Sequence, residues 1–320
     1  MTQSHTQNTP AMDSLEQSTR LGTGAAALAV FCCVLWGANT VAVKLTVEHI
    51  PPIGCAGLRF LVSTALIAAW CRMEGTSLRF RRQHLWPLVL NAILMFLQMA
   101  AFNWGTAHTH AGRASVFLNV HPFVVAPLAW VWLGEPIGWR AIVGLAMAGS
   151  GVAMLFDNSP GAPAGVSLVG DLAVLASGSL LGIETTYQKL LLFRMRPNHL
   201  LFWQLALSVP LFFAYSGCVE GFETYRFNRE SLLGLAFQSL LVSGFCFIVW
   251  MALLRRYPAN QIAAFGFLTP FFGIAFGHLV RGEPVGLGLM AGCGLVGAGL
   301  YLVTRPQHDR DATKDSAMNE

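Results

Sequence analysis

The segment Gly134 to Gly151, GEPIGWRAIVGLAMAGSG, returns 148 residues later as GEPVGLGLMAGCGLVGAG at Gly282 to Gly299. Seven of the eighteen positions are identical: Gly134, Glu135, Pro136, Gly138, Gly144, Gly149 and Gly151, with their partners Gly282, Glu283, Pro284, Gly286, Gly292, Gly297 and Gly299. A duplication on this scale divides the chain into two related halves. In a strongly apolar chain, such halves are the pattern of secondary carriers, whose two bundles move about a site near the bilayer midplane.

The chain is apolar enough for that reading. Hydrophobic residues make up 54% of the 320 and charged residues only 11%, against about 25% charged in soluble domains. The net charge of +4 comes from basic residues placed between apolar runs rather than along one face, which argues against a nucleic-acid partner. Seven cysteines lie in or beside apolar runs without CxxC or Cys/His spacing, and they read as small buried hydrophobes.

A helix needs roughly 20 apolar residues to cross the hydrocarbon core. Apolar runs predict spans at 24–46, 53–70, 86–105, 111–133, 138–156, 170–192, 199–218, 233–253, 259–280 and 285–303. The predicted fold is an all-α membrane protein of ten transmembrane helices, five per half. Polar tails are expected at 1–21 and 305–320, with repeats at 22–157 and 170–304 joined by a linker at 158–169. The first apolar run is long enough to span, so it reads as a retained helix rather than a signal peptide.

Orientation follows from Lys and Arg bias in the short connections. With the N-terminus inside, thirteen basic residues fall on the cytoplasmic side and five, Lys44, Arg113, Arg226, Arg229 and Arg281, on the other. Both termini are therefore expected in the cytoplasm of a multi-pass cell-membrane protein. Five spans per half is an odd number, so the second repeat is expected to cross in the opposite sense to the first.

These features resemble the drug/metabolite transporter superfamily, specifically its EamA-type members with two five-helix domains. The resemblance rests on Trp36-Gly37 ahead of Lys44, Ala56 to Phe60 with Arg59, Ala111-Gly112-Arg113-Ala114, Pro122 and Leu133-Gly134-Glu135-Pro136. A weaker second copy has Gly182 ahead of Lys189, Ala259 to Ala263, Pro270 and Gly282-Glu283-Pro284. It implies a secondary carrier, usually an exporter of amino acids or related metabolites, with a cavity lined by spans one, three, four, six, eight and nine. The second half departs from the pattern: Leu181 replaces Trp36, and no arginine matches Arg59.

An ionisable residue inside a span costs about 2.5–3.5 kcal/mol on insertion scales, so each one needs a reason. Glu184 is the sharpest case and occupies the repeat position of Asn39. It reads as a proton-coupling or substrate-amine site, or as a structural partner of Lys189, Lys44 or Arg59. Arg59 cannot lose its charge, which leaves a carboxylate partner, a substrate carboxylate or the headgroups as its destination. Lys44 and Lys189 have stems long enough to reach headgroups.

Asn91, Met95, Gln98 and Phe102 recur at helical spacing and share one face. Buried amides need partners or a polar cavity, so Asn91, Gln98 and Gln238, the expected counterpart of Asn91, join the cavity set. Asn119 and His121 precede Pro122, and Thr269 precedes Pro270. Each proline frees a carbonyl one turn back and predicts a bend. Trp36, Tyr187 and Gln188 complete the candidate lining, while Trp104, Trp130, Trp132 and Trp139 read as interfacial belts.

Glu135 and Glu283 read as helix-start caps, and the glycines around Gly144 and Gly292 as close-packing positions. His108, His110 and His121 do not amount to a metal set. No nucleotide motif indicates a cofactor. The expected partners are a small metabolite, the bilayer and coupling protons, with the oligomeric state left open. A membrane enzyme or a scaffold or channel-like protein without a coupled cycle is the alternative. The enzyme lacks a clustered reactive set, and the scaffold leaves the duplication unexplained.

Overall fold

The computed structural model describes residues 21–79, 82–135, 137–154 and 168–282, with isolated positions beyond residue 290. The tenth predicted span, Glu283, both tails and most of the linker lie outside the described residues. Among the described residues all regular structure is helical. Eight of the described stretches are long and apolar enough to cross a bilayer, and the chain folds as a multi-pass membrane protein.

The first half contains α1 (Thr23–Val47), α2 (Pro52–Met73), α3 (Leu85–Ala107), α4 (Ala111–Leu118), α5 (His121–Leu133) and α6 (Trp139–Met154). The second contains α7 (Leu168–Leu192), α8 (Pro197–Tyr215), α9 (Arg229–Ala236), α10 (Phe247–Arg256), α11 (Ala259–Ala264) and α12 (Thr269–Arg281). Pro52 and Pro197 open α2 and α8, where a missing N–H costs nothing. α9 starts on a reciprocal cap between Asn228 and Ser231.

Two wide-turned π segments, Ser216–Glu220 and Phe237–Cys246, continue α8 and join α9 to α10. Glu220, at the end of the first, accepts the N–H groups of Ile53 and Gly54 at 2.8 and 2.9 Å and so caps α2. Its neighbour Ser216 meets the Tyr225 hydroxyl at 2.8 Å, and burial pushes that phenol up from its ordinary value.

The duplicated glycines have a backbone reason. α5 ends at Gly134 with φ 68° and α12 at Gly282 with φ 66°, the left-handed conformation that ends a helix without a Cβ penalty. Glu135 caps a helix, as its position suggested, but not the one it precedes. Its Oε1 accepts from the Ala259 N–H at 2.9 Å and its Oε2 from Asn260 at 3.3 Å, so it closes the start of α11 in the other half.

The two prolines stand where their spans stop and restart. The predicted span 111–133 is interrupted at Asn119 and Val120, and Pro122 sits in the first turn of α5. The predicted span 259–280 narrows into a 3-10 segment, Phe265–Leu268, before Pro270 in the first turn of α12. A proline without its N–H fits best where a helix starts, so the chain restarts there instead of kinking.

The halves interlock through equivalent crossings. α1 packs on α12 and α7 packs on α5, while α2 faces α8. A Cβ on Gly37 would stand 2.7 Å from the Gly273 nitrogen, and one on Gly182 would stand 2.8 Å from the His121 oxygen, so both crossings need a bare backbone. Phe60, Phe212, Leu200, Leu201 and Leu205 fill the largest core. Trp86, Trp130, Trp132 and Trp139 face outward, as lipid-facing rings do.

Candidate functional site

The two helix breaks meet. A Cβ on Gly266 would lie 2.8 Å from His121 Nε2 and 3.1 Å from Asn119 Oδ1, so the interrupted segments of the two halves touch backbone to side chain. Interrupted helices leave carbonyl and amide groups available at mid-span, tolerable only inside protein or beside a cavity.

Around this junction lies a cavity with about 870 Å³ of atom-free space, counting the part that opens to solvent. Trp36 and Asn39 of α1, Arg59 of α2, and Met95, Gln98, Met99 and Phe102 of α3 line it from the first half. Leu181, Glu184, Thr185 and Gln188 of α7, Gln204 of α8, and Phe247, Trp250 and Met251 of α10 line it from the second. Leu118, Asn119, His121, Gly266 and Thr269 close it at the breaks.

Of the residues singled out in the sequence, Trp36, Asn39, Gln98, Asn119, His121, Glu184, Gln188 and Thr269 come together here. Asn91, Met95, Gln98 and Phe102 do share one buried face of α3. Asn91 stands just behind the lining and donates to Gln204 Oε1 at 3.0 Å. Tyr187 lies outside the cavity, its hydroxyl on the Pro87 carbonyl at 3.3 Å. Gln238 also lies outside: it donates to Thr46 Oγ1 at 2.9 Å and the Ala42 carbonyl at 3.4 Å. Asn91 and Gln238 thus tie down different helices and are not structural counterparts.

Glu184 is the centre of an amide network. Its Oε1 accepts from Gln188 Nε2 at 2.9 Å and Gln204 Nε2 at 2.8 Å. Its Oε2 is buried without a hydrogen-bond partner, as are Asn39 Oδ1, Gln98 Oε1 and His121 Nδ1. Gln98 is positioned by donation to Ser177 Oγ at 2.9 Å, and Asn119 by donation to the Ser115 carbonyl at 2.6 Å. Trp36 stands edge-on to Trp250, with centroids 4.6 Å apart.

Neither repeat lysine pairs with Glu184 or reaches for headgroups. Lys189, 1% exposed, donates to the carbonyls of Leu254 and Tyr257 at 2.6 and 2.7 Å. Lys44 donates to the Thr109 carbonyl. Carbonyls at helix ends accept a cation readily, which is why a tertiary partner displaces the lipid surface here. Near Lys44, Asp171 at the start of α7 accepts from Thr109 Oγ1 at 2.5 Å and pairs with Arg113 at 2.5 Å, tying α7 to α4.

Gln204, Thr185, Phe247, Trp250 and the methionines Met95, Met99 and Met251 were not singled out as lining residues. Gln204 had a signal, an amide inside an apolar run, and the same reasoning that selected Asn91 applies to it. His108 stacks on Trp104 with centroids 4.2 Å apart. Among the described residues no three His, Cys, Asp or Glu side chains converge as metal ligands would.

Comparison with known proteins agrees with this architecture. Over 85% of its length the chain is 24% identical to "Uncharacterized transporter YoaV" of Bacillus subtilis, spanning 93% of that protein. It is 26% identical to a protein of Escherichia coli named "Probable amino-acid metabolite efflux pump", covering 86% of this chain and 93% of the other. A solved crystal structure, 16% identical, shares the fold at a TM-score of 0.71 over 88% of this chain and 98% of its own. Residues 23–157 and 168–305 each match the EamA-like transporter family, and the chain belongs to that family.

Proposed function

We propose that this protein is a secondary exporter of amino acids or related small metabolites. It works by alternating access between two five-helix repeats that cross the membrane in opposite senses, with both termini in the cytoplasm. Glu184 couples the cycle to protons.

The observation that carries this reading is the state of the Glu184 carboxyl. One oxygen is held by two amide donors, and the other is buried at the cavity without a protein partner. A carboxyl in that position can carry a proton or hold a ligand ammonium, but not both. Metabolite binding from one side then releases the proton, and proton return from the other side releases the metabolite. The thirteen-to-five distribution of basic residues supports the orientation. The efflux-pump names of the relatives in Escherichia coli and Salmonella typhimurium, each 26% identical, support the substrate class.

Uptake of labelled amino acids into everted membrane vesicles tests the reading. An imposed inside-acid gradient is expected to drive uptake, and Glu184→Gln is expected to abolish the response to the gradient and, because the same carboxylate holds the ligand ammonium, to weaken ligand exchange. Flux indifferent to the gradient, or a Glu184→Gln protein that still follows it, removes the coupling role.

A further inference from the structure

The cavity also holds a cation that the described protein does not neutralise. Arg59 is 1% exposed, lines the cavity and keeps its charge. Its Nε donates to the neutral hydroxyl of Ser243. Its Cζ lies 5.2 Å from the Phe60 ring centroid and 5.8 Å from that of Phe247. Nη1 is buried and finds no acceptor. Asp171 pairs with Arg113 and Glu48 with Arg281, and among the described residues no carboxylate answers Arg59. Burial excludes the headgroups as its destination.

The repeat shows what is missing. α2 opens at Pro52 and α8 at Pro197, and Arg59 and Gln204 stand at the same step along each helix. Asn39 and Glu184 are likewise equivalent. In the second half the pair is closed, with Gln204 donating to Glu184 at 2.8 Å. In the first half it is open: both Arg59 Nη1 and Asn39 Oδ1 lack partners, and both residues line the cavity. An amide can turn its NH₂ toward an anion, since its two ends are interchangeable in position.

We propose that Arg59, with Asn39, is the seat for the carboxylate of the transported molecule, and that the carrier therefore requires an organic acid. The inference deepens the transport reading of this same cavity and rests on it. A zwitterion would place its carboxylate on Arg59 and its ammonium toward Glu184 Oε2, so each buried charge gains a partner. A simple amine would leave Arg59 unpaired, which is costly at this burial. Met95, Met99, Phe102, Phe247, Trp250 and Met251 supply a soft apolar wall, so the acid carries an aliphatic, thioether or aromatic body.

Trp36 and Trp250 line the cavity, so its occupancy is read as a ligand-dependent change in the emission of the nine tryptophans. Their fluorescence in protein reconstituted into nanodiscs is titrated with L-phenylalanine, L-methionine and L-leucine, each beside its methyl ester, and with 3-phenylpropionate and 2-phenylethylamine. We expect at least one free amino acid to bind ten-fold or more tightly than its ester, 3-phenylpropionate to bind better than 2-phenylethylamine, and Arg59→Gln to erase both preferences. Arg59→Lys is expected to keep part of them. Esters binding as well as acids to the wild-type protein would overturn the proposal without relying on any variant's folding, and so would an Arg59→Gln protein with wild-type preferences. If gradient-driven flux persists alongside either result, the carrier reading survives and only the anion seat is lost. Absence of binding by every probe overturns the seat, and when flux is absent as well, the carrier reading falls with it.

Discussion

Lys189 donates from Nζ to the carbonyl of Tyr257 at 2.7 Å, two residues before α11 begins, and its repeat partner Lys44 reaches the carbonyl of Thr109, two residues before α4 begins. The two lysines thus perform one task in both halves. Each ties a long helix to the turn from which an interrupted span starts.

Removing that tie leaves buried carbonyls without a donor, at about 1–3 kcal/mol for each unsatisfied group. Lys189→Met is expected to lower the apparent unfolding temperature in detergent clearly, because the Leu254 and Tyr257 carbonyls both lose a partner. Lys44→Met is expected to cost less, since Lys44 is only half-buried. Thermal unfolding of the two variants side by side checks the order.

Glu135 makes a comparable contribution through backbone amides. Glu135→Ala uncaps α11 and is expected to cost about 1 kcal/mol, with Glu135→Gln losing roughly half of that because one acceptor oxygen remains. Denaturant titration of both variants against the wild type provides the measurement.

The Arg113–Asp171 pair joins the halves where α4 and α7 begin, with side chains 28% and 5% exposed. A double-mutant cycle with Arg113→Gln and Asp171→Asn is expected to give a coupling energy of about 1 kcal/mol, within the range for contacting residues in one network. Additive single effects would mean that the pair does not hold the halves together.

Gly37 and Gly182 are expected to reject even a methyl group. A Cβ at Gly37 would meet the backbone at Gly273 and Phe272, and one at Gly182 would meet the His121 carbonyl oxygen and Val124. Each Gly→Ala change is expected to cost about 1–3 kcal/mol through overpacking. Folded yield and transport rate of the two variants should fall together, because the two crossings are equivalent.

Cysteine labelling reads the orientation. Cys218 is exposed, whereas Cys32, Cys33, Cys55, Cys71 and Cys246 are buried. In a Cys293→Ser background, a membrane-impermeant maleimide is expected to label Cys218 in intact cells. Labelling only after permeabilisation would place that end of α8 in the cytoplasm.

Span positions were legible because apolar runs of sufficient length leave few alternatives, and the described helix ends fall within a few residues of the predicted ones. Glu184, Asn39 and Gln98 stood out as polar groups with no inexpensive place in lipid. Gln238 joins α1 instead of the lining, because its partners, Ala42 and Thr46, come near only after folding. The prolines marked the right positions, but a sequence does not distinguish a bent helix from one that stops and restarts. The lysines were assigned to headgroups because their true partners, carbonyls some 65 residues away, come near only after folding.

The ten-residue wide turn from Phe237 to Cys246 has the last consequence. It stores one surplus residue, and each residue advances an ordinary α-helix by about 100°. If that wrinkle travelled along the backbone, only the residues it passed over would turn by about one such step, and the helix on either side would keep its register. Ser243, which grips Arg59, lies within the wrinkle, and Phe247, part of the chamber wall, lies just past it.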